Sequence, residues 1–254
     1  MVGIRNYDVY LRGMAKGYED KLFFSEMLKD KICGILDFGC ADGTMLSYLK
    51  RDFPEARLVG YDNSKEMVQL AKRRTNGYVT SIYGDALDHL DPSESLLNLS
   101  SVVHEVYSYS PAYARKEFWD DVFGRGFKYV TIRDFCLGGF GPALADTEDY
   151  QKVKAKANKK QVEEFEKNFG SLRYEVNFVH FLMKYRYVEN WEREVKENYF
   201  AINLEMIEDI AQQYGYEVMF KEHYMLPFTR DRVKEDFDVN LPENTHVKFI
   251  FKKG

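Results

Sequence analysis

Residues 34–49, GILDFGCADGTMLSYL, decide the fold. A short apolar run, Ile35-Leu36, reaches an acid, Asp37. Small residues follow at alternate positions, Gly39, Ala41 and Gly43, and an amphipathic stretch opens at Thr44. The order is strand, tight turn, helix N-terminus. Glycine permits such a turn and lets a ligand touch the backbone, because no side chain stands in the way. The unpaired N–H groups of the first helical turn suit a carboxylate or a phosphate.

A dinucleotide site has this layout but reads G-x-G-x-x-G. Here the pattern is G-x-A-x-G with an acid two residues upstream. An acid pointing into the turn would repel a pyrophosphate and suits a ligand with a positive amino group. A second acid, Asp62, ends the next apolar run, LVGYD. It stands about 20 residues beyond the glycine turn, where a carboxylate can bind ribose hydroxyls. An amino group and a ribose on one ligand suggest S-adenosylmethionine. At these residues the chain resembles the class I S-adenosylmethionine-dependent methyltransferases: DFGCADG (37–43) looks like their first motif and VGYDNS (59–64) like their second.

The resemblance implies a set of roles. Asp37, Gly39, Ala41 and Gly43 would wrap the methionine part of the cofactor, with backbone contacts mattering more than the Cys40 and Asp42 side chains. Asp62 would take the ribose, with Asn63 and Met67 beside it. Asp85, in the GDA of 84–86, would hold the adenine amine, and the Ala86 N–H a ring nitrogen; a helix N-cap is the plain alternative for this acid. Ser100 and Ser101 would line the cofactor after the fourth strand. His104 and Glu105 follow near the transferring methyl group. A histidine there suits a general base, since its unperturbed pKa is about 6.5. Arg133 could grip an anionic acceptor bidentately, or pair with Asp134 in support of a lid. Tyr107, and Trp191 from the stretch 137–200 that the resemblance does not cover, complete the expected acceptor wall. Neither the three cysteines, Cys33, Cys40 and Cys136, nor His89, His180, His223 and His246 show metal-ligand spacing.

Around the motifs, apolar runs alternate with helix-like runs. The strand-like runs are CGILDF, ARLVGY, VTSIYG, LLNLSSVV and FKYVTIRD. Between them lie TMLSYLKRDF, SKEMVQLAKRR with Ser64 as N-cap, and PAYARKEFWDDVF. This alternation implies a mostly parallel sheet covered by helices on both faces. Residues 7–29 read as one or two further helices. The alternation stops after Asp134. LGGFGPALAD (137–146) reads as a hinge, and 147–200 as helical, with Tyr174, Phe178, Phe181 and Tyr185 along one face. From Asn203 the pattern resumes with a helix ending near Gly215 and two strands, joined by a polar connection over 227–244. The expected fold is α/β: a Rossmann-like methyltransferase sheet with its last strand antiparallel, N-terminal helices and a helical insertion. The expected domains are a cofactor-binding core over 1–136 and 201–254, and an insertion over 137–200 forming a lid on the acceptor site.

The chain has 254 residues, 45% of them hydrophobic, with a net charge of −5. That fits one large domain or a domain with an insertion. No global basic surface favours nucleic acid, and no apolar run is long enough for a membrane span. The three cysteines form no disulfide framework, and with no signal peptide evident a reducing cytoplasm is the expected setting. Three functions are compatible: an O-methyltransferase for a small-molecule or sugar-type acceptor, anionic or phosphorylated included; an RNA or polymer methyltransferase using the basic run 152–160; and a non-catalytic cofactor-binding partner protein. A homodimer is compatible with each.

Overall fold

A computed structural model describes residues 17–29, 31–139, 141–185 and 187–254. The helices expected over 7–29 fall partly outside the described residues. From residue 17 onward they are two single turns, α1 (Tyr18–Lys21) and α2 (Ser25–Leu28).

One seven-stranded sheet organises the chain. Five parallel strands come first: β1 (Gly34–Phe38), β2 (Arg57–Tyr61), β3 (Tyr78–Thr80), β4 (Ser95–Ser100) and β5 (Tyr129–Phe135). Then β6 (Tyr216–Tyr224) and β7 (His246–Lys253) close it, with β7 antiparallel to both neighbours. The order is β3-β2-β1-β4-β5-β7-β6. Growth reverses between β1 and β4, which makes their C-terminal ends the topological switch, where ligands of open α/β sheets bind.

The central strands β1, β4 and β5 are buried without alternation because both faces are covered, whereas the edge strand β6 is largely exposed. Ile35 and Leu36 are both fully buried, but in different cores. Ile35 packs with Met45, Leu46, Leu49, Val68 and Ala71, under α3 (Thr44–Asp52) and α4 (Lys65–Arg74). Leu36 packs with Phe118, Val122, Ile207 and Ala211, under α7 (Ala112–Phe123) and α12 (Leu204–Gln213). Two shorter helices, α5 (Tyr83–Leu87) and α6 (Val103–Tyr109), follow β3 and β4.

The insertion builds a core of its own. Its helices are α8 (Thr147–Lys156), α9 (Lys159–Phe169), α10 (Glu175–Tyr185) and α11 (Trp191–Glu194). Asp146 and Asn158 cap α8 and α9 by accepting first-turn N–H groups at 2.9 and 3.0 Å. The aromatic stripe is mostly core: Phe178 and Phe181 are buried, whereas Tyr174 is exposed.

Two sequence expectations are corrected. VTSIYG is not one strand. β3 ends at Thr80, whose hydroxyl accepts the Ile82 N–H at 3.1 Å and turns the chain into α5. The polar connection over 227–244 is largely a helix, α13 (Pro227–Phe237), with proline in its first turn, where no N–H is needed. Its Val233 and Phe237 complete the insertion's core.

Candidate active site

Side chains alternate along a strand, so Asp37 shares the face of Ile35 and turns toward the side covered by α1. It is 3% exposed. Its register partner in β4, Asn98, donates to Oδ1 at 2.8 Å and accepts from the Thr131 hydroxyl of β5 at 2.9 Å. Three adjacent strands thus hold one buried polar row. The second oxygen, Oδ2, has no hydrogen-bond partner among the described residues. Burial pushes the Asp37 pKa up to about 6, while the Asn98 hydrogen bond and the Lys21 charge pull the other way. An acceptor-only oxygen, buried and unpaired, is a place for a cation with N–H groups.

The turn after β1 carries its strain openly. Gly39, Ala41 and Gly43 have φ of 79°, 46° and 78°. A Cβ on Gly39 would stand 2.6 Å from a Val102 methyl, so the turn and the β4–α6 loop approach as only glycine allows. Ser101, in that loop, is also left-handed, at φ 62°. Two strained non-glycine residues flank the switch, a pattern concentrated at functional sites.

Asp62 binds the two turns together. Its Oδ2 accepts the Ala41 N–H at 2.9 Å and its Oδ1 the Ser64 N–H at 2.8 Å. Asn63 beside it is exposed, and Met67 is buried, giving its backbone N–H to the Ser64 hydroxyl at 3.4 Å. The Asp42 side chain matters more than expected. It is 1% exposed, accepts the Thr44 N–H at 3.1 Å and hydroxyl at 2.8 Å, and pairs with Arg74. Asp85 and Ala86 lie inside α5 rather than before it; Asp85 is half-buried and Ala86 fully buried. Next to them Ile82 leaves 60% of its surface open, an apolar face the sequence reading missed.

After β4, the Ser100 hydroxyl is buried without a described partner, and the Ser101 hydroxyl accepts from Arg133 at 3.3 Å. His104 opens α6 at 5% exposure. Its Nδ1 lies 2.6 Å from Asp134 and its Nε2 4.0 Å from Glu197 of the insertion. Burial alone would lower its pKa, but Asp134, then Glu197 and Glu105, raise it to about 9. The carboxylates around the ring thus favour its imidazolium form, which has no lone pair to accept a proton. Glu105 meets Arg193 at 2.6 Å, which also holds Glu197 at 2.6 Å. These ion pairs join α6 to the insertion.

Three expected acceptor contacts point elsewhere. Arg133 is 6% exposed and pairs with Asp20 of α1 at 2.9 Å, not with Asp134, while also donating to the Tyr224 hydroxyl at 3.1 Å. Its guanidinium serves α1 and the sheet. Tyr107 turns to α7, its hydroxyl accepting the Trp119 indole N–H at 2.9 Å. Trp191 is 8% exposed inside the insertion, its indole donating to Glu164 at 2.8 Å.

Residues 35–121 match a family model described as a methyltransferase domain. The chain has the fold of the class I S-adenosylmethionine-dependent methyltransferases. Solved methyltransferases superpose over nearly the whole chain. One from Archaeoglobus fulgidus is 14% identical, with a TM-score of 0.56, covering 97% of this chain and 99% of that one. One described as a putative enzyme from Listeria monocytogenes is 15% identical, with a TM-score of 0.53 over 94% and 99%. The plantazolicin methyltransferase BpumL, solved with a desmethyl plantazolicin analogue and S-adenosylhomocysteine, is 14% identical, with a TM-score of 0.53 over 98% and 89%. No curated protein matches the sequence. The methyltransferase switch point coincides with the unpaired Asp37 oxygen and the glycine turn, so the residues present fit the cofactor's amino group. Among the described residues no helix is long and apolar enough to cross a membrane.

Proposed function

We propose that this protein transfers the methyl group of S-adenosylmethionine to an oxygen of a small-molecule acceptor. The observation that carries the cofactor is Asp37: a buried carboxylate with one oxygen fixed by Asn98 and the other unpaired, beside a left-handed glycine turn. When bound, the cofactor supplies a sulfonium-activated methyl group. The protein's part is to hold donor and acceptor in line, which alone contributes roughly 7–11 kcal/mol. The insertion covers the acceptor side, fixed to α6 through Arg193 and Glu105 and through the Asn198 N–H on the Ser108 hydroxyl at 2.7 Å.

A small acceptor is favoured over RNA by the pairing of the basic run. Of its five lysines, Lys152 meets Glu148 at 2.8 Å, Lys154 meets Glu166 at 3.6 Å and Lys160 meets Glu164 at 3.8 Å. Paired lysines have less charge to offer phosphates. An anionic acceptor loses its expected anchor, because Arg133 is committed to Asp20.

Calorimetry should show binding of S-adenosylmethionine and S-adenosylhomocysteine and none of NAD. Labelled cofactor incubated with a metabolite extract should label a small molecule. Binding of NAD alone would overturn the cofactor; label appearing only in RNA, with steeply salt-dependent binding, would overturn the acceptor class.

A further inference from the structure

One buried lysine in the cleft has no role in the scheme above. Lys21 ends α1 at 8% exposure. Among the described residues nothing offers its Nζ a hydrogen bond or an ion pair; its contact is the Tyr18 ring, 5.5 Å away. It lines the same cavity as Tyr18, Asp37, Gly39 and Ser100, a space of about 20 Å³. Two of the residues in that cavity's wall carry an unpaired buried polar atom, Asp37 its Oδ2 and Ser100 its hydroxyl. A buried cation, a buried carboxylate oxygen and a hydroxyl therefore share one small space without satisfying one another. Buried polar groups are ordinarily partnered, so such a set points to a ligand that completes it.

The position of Lys21 is built, not incidental. Asp20, the preceding residue, accepts from Arg133 at 2.9 Å, from Lys248 at 2.9 Å and from the Tyr224 hydroxyl at 2.6 Å. Tyr18 stacks on Tyr48 at 4.6 Å. These contacts pin α1 on the sheet's C-terminal rim and turn Lys21 inward. Burial, then the nearby Arg133 charge, lower its pKa to about 8, opposed by Asp37, Asp20 and Asp134. It still carries its charge at neutral pH.

We propose that Lys21 and Asp37 form a clamp for an α-amino-acid zwitterion, Asp37 taking the ammonium group and Lys21 the carboxylate of the cofactor's methionine part. The inference rests on the methyltransferase reading and adds to it a residue that recognises the carboxylate end. The cavity is narrower than an aminocarboxylate, so the Lys21 side chain shifts as the ligand enters, which its four rotatable bonds allow. The clamp makes the site selective: a cofactor lacking the carboxylate leaves a buried ammonium unpaired.

The test compares ligands that differ at this end. S-adenosylhomocysteine carries the amino and carboxylate groups, and 5′-methylthioadenosine carries neither. By calorimetry, Lys21→Met should weaken S-adenosylhomocysteine by about 10–100-fold, the worth of one charge-assisted hydrogen bond. It should leave methylthioadenosine within about twofold, and Lys21→Arg should recover most of the loss. Unchanged S-adenosylhomocysteine affinity in Lys21→Met, or an equal loss for both ligands, overturns the clamp. Should Lys21→Met not fold, the wild-type protein decides: decarboxylated S-adenosylmethionine binding at least about tenfold more weakly than S-adenosylmethionine supports it, and closer affinities overturn it. If the wild type binds neither S-adenosylmethionine nor S-adenosylhomocysteine, the methyltransferase reading itself fails, a result distinct from binding that ignores Lys21.

Discussion

Asn98 donates to Asp37 at 2.8 Å across the β1–β4 pair, at the point where the sheet reverses its growth. This bond orients the carboxylate and leaves its other oxygen for a cation. Burial raises the Asp37 pKa from 3.8 to about 6. Below that pH the free protein holds a neutral acid, and binding an ammonium group must expel a proton. S-adenosylhomocysteine affinity should therefore be level near pH 7 and fall by up to about tenfold per pH unit below about 6. Asp37→Asn should bind weakly throughout and lose this limb. Calorimetry between pH 5 and 7.5 checks it; a wild-type affinity level down to pH 5 would count against the assignment. The same shift has a stability sign. The folded pKa lies above the unfolded one, so ionising Asp37 weakens the free fold as pH rises from about 4 to 6, and a bound cation reverses this.

Removing the partner should have two effects. Asn98→Ala leaves Asp37 Oδ1 and the Thr131 hydroxyl unpaired in the sheet's centre. Stranding buried polar groups costs about 1–3 kcal/mol, readable as a lower urea midpoint. The lost hydrogen bond had favoured the ionised acid, so the acid limb of cofactor binding should also move to higher pH. A variant of unaltered stability and unaltered limb would show that water replaces the amide.

What the sequence discloses follows from the range of the interactions. The alternation of strands and helices was legible because each strand, turn and helix is a local pattern, and Asp37 because an acid closing an apolar run is conspicuous. Asn98 was not: inside LLNLS it reads as one polar interruption, and its partner is 61 residues away. Arg133 was read beside its neighbour Asp134, whereas its ion pair comes from Asp20, 113 residues earlier. Lys21 is one of three lysines on the helix-like stretch 7–29 until the fold turns it inward. α13 was read as a link because its polar surface and opening proline hide the two apolar residues that bury, Val233 and Phe237.

The Arg133–Asp20 pair gives a structural prediction. Arg133→Met removes one member of a largely buried pair and should destabilise by about 3–5 kcal/mol, softened where Lys248 and Tyr224 still hold Asp20. Residues 17–29 should exchange amide hydrogens faster, and S-adenosylhomocysteine affinity should fall with them, since α1 carries Lys21. Phosphate should not compete with any acceptor. An unchanged exchange rate over 17–29, or a variant defective only with anionic acceptors, would return Arg133 to the acceptor site.

The last prediction concerns His104. A general base with the ordinary histidine pKa would give a rate that rises through about 6.5. Here Asp134 at 2.6 Å and Glu197 at 4.0 Å hold the ring as a cation, with its pKa raised to about 9. The sign for stability follows. A histidine whose folded pKa exceeds its unfolded value contributes stability that is complete below about 6.5 and lost as pH rises through about 9. Asp134, lowered by the same pair, contributes above its unfolded pKa and is lost as pH falls through its folded one. The wild type should thus unfold at lower urea concentration at pH 10 than at pH 7. His104→Gln should be destabilised at pH 7 by about 3–5 kcal/mol, the consequence of breaking a buried pair, and the gap should narrow at pH 10. Activity of any folded His104→Gln protein should show no loss of a limb near pH 6.5, because the wild type has none there. A wild-type limb near 6.5 that vanishes in the variant would restore the base. Equal destabilisation at both pH values would mean that the ring is neutral and holds α6 by hydrogen bonding to Asp134 alone.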